Sequence, residues 1–173
     1  MVVMIGPFIL MLIQIESRFA FRPLEAGETA RFSIEVESGG DLDAYVAALV
    51  DAQDRGLPLL IGIEVDRIPG AIEPMAQLLD DYPFDVRLGS VHWLGSWLID
   101  DYGNPSFARE WATRSTDDVW RQYIDAIDEL AMSGMVDVLA HLDVVKVAGR
   151  RPDDVTAHED RLAQIEQADL HAR

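Results

Sequence analysis

The stretch "LPLLIGIEV" (Leu57–Val65) decides the fold. It is short, apolar and continuous, whereas a strand with one wet face would alternate. It therefore reads as a strand buried on both faces, the habit of parallel sheets covered by helices. Its flanks agree. Upstream, Leu42, Tyr45, Val46, Leu49 and Val50 fall at i, i+3, i+4, i+7 and i+8, one stripe of an amphipathic helix. Asp41 suits the N-cap of that helix and Gly56 the residue just past its end. Downstream, Pro69-Gly70 marks a turn, and Ile72, Met75, Leu79 and Tyr82 give a second stripe, with Pro74 tolerable only in the first turn.

The alternation continues. "FDVRLGSV" (Phe84–Val91) is the next expected strand, and a long loop is expected from Trp93 to about Ser115. Thr116 caps a third expected helix whose buried face is Val119, Tyr123, Ile127 and Leu130, and Gly134 ends it. "VDVLA" (Val136–Ala140) is a third short strand, and a last helix starts after Pro152 with Leu162, Ile165 and Leu170 inward. Strands alternating with helices imply βαβ units, a parallel sheet and an α/β fold. Right-handed crossovers then bring the C-terminal ends of the strands to one edge, where α/β barrels and open sheets carry their active sites.

Composition narrows the function. The chain of 173 residues fits one domain, and nearly half of it is apolar, enough for a substantial core. Its 31 acidic and 14 basic residues leave a net charge of -17, which argues against a nucleic-acid surface. With no cysteine there is neither disulfide nor thiolate ligand, so any metal must use His, Asp and Glu. The uncharged run "MVVMIGPFILMLIQI" is shorter than the ~20 residues of a membrane span and lacks the basic start of a signal peptide. Residues 1–40 are set apart as a divergent apolar segment, and no membrane partner is expected.

Three side chains stand where the strands end. Glu64 lies near the end of the first clear strand, His92 follows the second and His141 follows the third. They are far apart in sequence, yet a parallel sheet brings them to one edge. One carboxylate with two imidazoles suits Zn, Mn or Fe. A divalent ion there polarises a phosphoryl oxygen and lowers the pKa of a bound water.

"IGIEVDRIPG" (61–70), "FDVRLGSVHWLG" (84–95) and "VDVLAHLDVVK" (136–146) resemble successive motifs of the polymerase and histidinol phosphatase (PHP) family, in the order of its histidinol-phosphatase branch. "DVW" at Asp118–Trp120 and Tyr123 also fit that branch. The resemblance runs from about Asp41 to Arg151. It implies that residues 41–173 form part of a distorted (β/α) barrel holding a cluster of metal ions. The implied activity is hydrolysis of a small phosphorylated substrate, L-histidinol phosphate, by a cytoplasmic enzyme of histidine biosynthesis. Glu64 becomes the metal-bridging carboxylate, and His92 and His141 the imidazole ligands, all three catalytic. Lys146 and Arg150 become candidates for the substrate phosphate, and Asp143 a structural carboxylate. Trp93 and Trp97 line the substrate side or pack the loop.

The departures set further expectations. The family opens on a His-x-His pair, but this chain has no histidine before His92. The family closes on Asp-x-His. Asp169 and His171 have that spacing but follow His141 too soon and read as coincidence, and His158 reads as a surface residue. A barrel short of strands at both ends would self-associate through exposed edges. Two alternatives stand beside the phosphatase: an inactive metal-binding or structural remnant, and a PHP phosphoesterase for another substrate.

Overall fold

The computed structural model describes residues 2–5, 8–14 and 42–172. Two strands open the chain, β1 (Val2–Ile5) and β2 (Phe8–Gln14). Helix α1 (Leu42–Asp54) leads to β3 (Leu59–Asp66), and α2 (Ile72–Leu79) leads to β4 (Val86–Ser90). A short ladder of β5 (Trp93–Leu94) and β6 (Trp97–Leu98) precedes α3 (Pro105–Thr113) and α4 (Thr116–Met132). Strand β7 (Val138–Leu139), a 3-10 turn (Val144–Ala148) and α5 (Val155–Ala172) complete the order.

The main sheet has the order β1-β2-β3-β4-β7. Strands β2, β3, β4 and β7 run parallel, and β1 pairs antiparallel with β2. The expected α/β fold with a parallel sheet is therefore present, and among the described residues the sheet is open. Both opening strands lie within the segment 1–40 that the sequence set apart, and β2 pairs with β3 from Ile9↔Leu59 to Gln14↔Glu64. The proposed cap Asp41, and the side chains of Asp169, Leu170 and His171, fall outside the described residues.

Register explains which face does what. Successive strand residues point to opposite faces. Ile61, Ile63 and Val65 share one face of β3 and are buried in the hydrophobic core. Glu64 and Asp66 share the other. Their Cα partners on β4 are Leu88 and Ser90, so Ser90 sits on the acidic face too. Gly89 then belongs to the helix-covered face, where a Cβ would stand 2.8 Å from Leu130 Cδ2 and from Val136 Cγ2. The glycine lets α4 and the Val136 loop approach the sheet this closely.

Two aspartates stitch the register. Asp85 precedes β4: its backbone N–H donates to Ile61 O (2.7 Å) and its Oδ2 accepts from Ile61 N (2.7 Å). Asp137 repeats the pattern before β7, with its N–H on Arg87 O (2.7 Å) and its Oδ2 accepting from Arg87 N (2.8 Å). Each incoming strand is thus clamped to its neighbour by the residue just before it.

Helix α4 buries the four expected residues Val119, Tyr123, Ile127 and Leu130, together with Trp120, Ile124 and Ala126. Its N-cap is Ser115, one residue earlier than expected, with Ser115 Oγ accepting from Asp118 N. The region expected as loop from Trp93 to Ser115 holds β5, β6 and α3. Helix α3 starts on Asn104, whose side chain accepts from Ser106 N, followed by Pro105. That cap is legible, but only Phe107 and Trp111 mark an apolar face, too little periodicity to show as a helix. Leu162 and Ile165 of α5 are buried as expected.

Candidate metal centre

Strand geometry places Glu64 on β3, two residues before its end. His92 comes two residues after β4 and His141 two residues after β7. The backbone leaves the sheet just before His92 and His141, and their side chains meet that of Glu64. One ligand atom from each of Glu64, His92 and His141 lies within 4.8 Å of the others. Bonds of about 2.0–2.2 Å to a shared tetrahedral ion would set donors roughly 3.3–3.6 Å apart, so small side-chain movements suffice.

Glu64 is buried, and its Oε1 is the hub. Ser90 Oγ donates to it at 2.5 Å, and His141 Nε2 lies 3.0 Å away. The hydrogen bond from His141 is the largest influence on Glu64. With the Ser90 bond and the charges of both histidines it outweighs burial, and the carboxyl is held below the ordinary glutamate value. Glu64 is thus kept ionised, as a metal ligand must be.

His92 is buried between two acids. Its Nδ1 lies 2.5 Å from Asp66 Oδ1, and its Nε2 lies 3.9 Å from Asp100 Oδ2. Burial, the largest influence, disfavours the imidazolium. The Asp66 hydrogen bond and the charges of Asp66, Asp100 and Glu64 together outweigh it, so the His92 pKa is raised. For Asp66, burial dominates and pushes the carboxyl up, with the His92 bond opposing it. Both members of the His92–Asp66 pair therefore take up a proton more readily than they would free in water.

His141 is the exposed member, with 39% of its side chain accessible. Its ring centroid lies 5.0 Å from that of His92. It is the one described non-glycine residue with positive φ, at 29°. Such backbone persists only where surroundings impose it. Here Tyr123 Oη donates to His141 O at 3.0 Å, and Val144 N donates to the same oxygen at 3.1 Å. Tyr123 is fully buried in α4, and burial holds its phenol protonated far above the usual tyrosine range.

The other sequence candidates lie around this cluster. Lys146 stands on the 3-10 turn that follows His141, half-exposed, 3.7 Å from Asp143 Oδ2. The Arg150 guanidinium lies over the Trp111 ring at 5.7 Å. Trp97 is buried, edge-on to Trp111, with the Arg114 guanidinium over it at 5.1 Å. It packs the loop, and Trp93 is partly exposed beside it on the ladder. His158 packs its ring near Trp120 at 5.8 Å.

Three site residues escaped the sequence reading. Asp66 was visible in principle: two positions after Glu64 on a strand means the same face. Ser90 needed the β3–β4 register. Asp100 comes from the loop after β6, and no spacing rule could have brought it to His92.

No protein-family model matches the chain. The chain is 33% identical over 120 residues to a protein of Deinococcus radiodurans named probable histidinol-phosphatase. The match takes in 67% of this chain and 45% of that protein, so the chain spans less than half the length of the relative. No helix among the described residues is long and apolar enough to cross a membrane.

Proposed function

We propose that the chain is part of a metal-dependent phosphomonoester hydrolase of the PHP type, with L-histidinol phosphate as substrate. The observation that carries this reading is the convergence of Glu64, His92 and His141 at the C-terminal edge of a parallel sheet. The name of the Deinococcus relative supports the substrate class. The wider fold in this reading is a (β/α) barrel, and the place of the enzyme is cytoplasmic histidine biosynthesis.

The donor set fits a divalent ion. An ionised carboxylate with two imidazoles suits Zn, Mn or Fe. Glu64, His92 and His141 would hold it. When bound, it would supply Lewis-acid stabilisation of the charge that develops on phosphoryl oxygens. The remaining work falls to the protein. Ser90 keeps Glu64 oriented through its 2.5 Å hydrogen bond. Tyr123 and Val144 hold the backbone that aims His141. Lys146 and Arg150 are the proposed contacts for the substrate phosphate, because a dianion needs fixed cations beside it. Lys146 has the shorter route, since its 3-10 turn begins three residues after His141.

One observation favours a second reading, a metal-binding protein with little turnover. The described residues gather three donors into one cluster, enough for one ion. A multi-metal site clamps the attacking and leaving oxygens together, and a single ion does not.

Phosphate release from histidinol phosphate by the purified chain, with Zn, Mn or Fe supplied, separates the two. Release that stops with chelator and with Glu64→Gln supports the hydrolase. Release equal for histidinol phosphate and an unrelated monoester removes the substrate assignment. No release while the ion binds leaves the second reading.

A further inference from the structure

Strand β3 puts two carboxylates on the face of the cluster, and the proposed ligand set uses only Glu64. The second, Asp66, has 6% of its side chain exposed, and its Oδ1 meets His92 Nδ1 at 2.5 Å. A carboxylate this deep is strongly disfavoured unless it is paired and hydrogen-bonded. Its partner is the same imidazole that faces Glu64 and His141. The two ring nitrogens of His92 then have separate tasks. Nδ1 is engaged by Asp66, so Nε2 is the nitrogen left for the cluster.

We propose that Asp66 is the positioning residue for His92: its carboxylate selects the Nδ1–H form of the ring and aims the Nε2 lone pair at a divalent cation shared with Glu64 and His141. A ligating histidine that donates its other N–H to a carboxylate has a fixed tautomer, a fixed ring plane and a more basic donor atom. The two histidines are therefore built differently. His92 is preset by a side chain beneath it. His141 is held through its carbonyl, and its ring rests against Glu64 Oε1 at 3.0 Å. Binding a cation leaves the His92–Asp66 contact in place and replaces the His141–Glu64 contact.

This inference rests on the metal reading above, and two measurements on the full chain keep them apart. The first is cobalt(II) titration followed by visible absorption, comparing wild type with Asp66→Asn. The amide preserves shape but can turn its NH2 toward Nδ1 and favour the wrong tautomer. The expected result is an affinity lower by about 10–100-fold, the usual cost of losing such a partner. Equal affinity overturns the proposal. The second is long-range proton–nitrogen NMR of metal-free wild type with a neutral His92 ring, which needs no variant to fold. The proposal expects Nδ1 protonated and Nε2 bare, and finding the proton on Nε2 overturns it. If the wild type takes up no cobalt yet His92 is Nδ1–H, the metal reading fails while control of the tautomer by Asp66 stands.

Discussion

Gly89→Ala tests the packing that aims the site. A Cβ at this position would lie 2.8 Å from Leu130 Cδ2 and 2.8 and 2.9 Å from the two Val136 methyls. Carbon atoms rest about 3.5–4.0 Å apart, so roughly 0.7 Å or more must be found. Neither neighbour yields easily. Leu130 is fully buried in α4, Val136 is buried before β7, and a β-branched side chain has few alternative rotamers. Overpacking of this kind costs about 1–3 kcal/mol, and crowding from two directions puts this case at about 2–3. For a chain of this length each kcal/mol lowers the Tm by about 2–4 °C, so a fall of about 4–12 °C is expected. The strain also has a functional direction. Moving α4 outward carries Tyr123 away from the His141 carbonyl, so metal affinity should fall together with stability. Calorimetric melts of wild type, Gly89→Ala, Val136→Ala and the double variant measure this. The double variant should be more stable than the sum of the single losses predicts, because truncating Val136 opens part of the space that the new methyl needs. A Gly89→Ala melt within about 1 °C of wild type would refute the close-approach argument.

Three further outcomes follow from particular contacts. Asp85→Ala removes the acceptor of Ile61 N and should cost about 1–3 kcal/mol in urea unfolding, with the β3–β4 amides losing hydrogen-exchange protection first. Trp120→Phe should cost about 1 kcal/mol more than Trp97→Phe, because Trp120 Nε1 donates to Arg150 O while the buried Trp97 Nε1 has no hydrogen-bond partner to lose among the described residues. Tyr123 is held protonated when folded, so above about pH 10 the unfolded chain ionises first and stability falls as pH rises. Tyr123→Phe should lose about 0.5–1.5 kcal/mol near neutral pH, and its deficit against wild type should shrink as the pH climbs past 10, which paired urea melts across that range would read.

How much was legible follows from which forces are local. The helices showed themselves where a stripe of several apolar residues repeats, as in α4. The strands showed themselves as continuous apolar runs, and "LPLLIGIEV" is buried from Leu59 onward apart from half-buried Leu60, while Leu57 and Pro58 stand exposed before the strand begins. Glu64, His92 and His141 could be brought together because parallel strands end on one edge, a rule of topology rather than of side chains. Short elements left no such trace. Strand β7 was expected over five residues and pairs over two, because the Asp137 clamp and the turn at His141 limit it. The 3-10 turn "VVKVA" has neither a strand nor a helix period. Asp100 reaches His92 only through the path of the β5–β6 ladder and its exit, which no local pattern encodes. Asp66 was overlooked for a different reason. It stands at the end of an apolar strand, where an exposed acid is ordinary, and only the pairing with His92 shows that it is buried.

The most direct test of the central claim is equilibrium dialysis of the chain against zinc, read by elemental analysis, for wild type and for Glu64→Gln, His92→Ala and His141→Ala. Three donors gathered at the ends of three strands would make one tetrahedral site with an open position. The wild-type chain should hold one ion, and each of the three variants should lose it while the metal-free melts stay cooperative. Zinc retained undiminished in all three variants, or absent from the wild type, would contradict that claim.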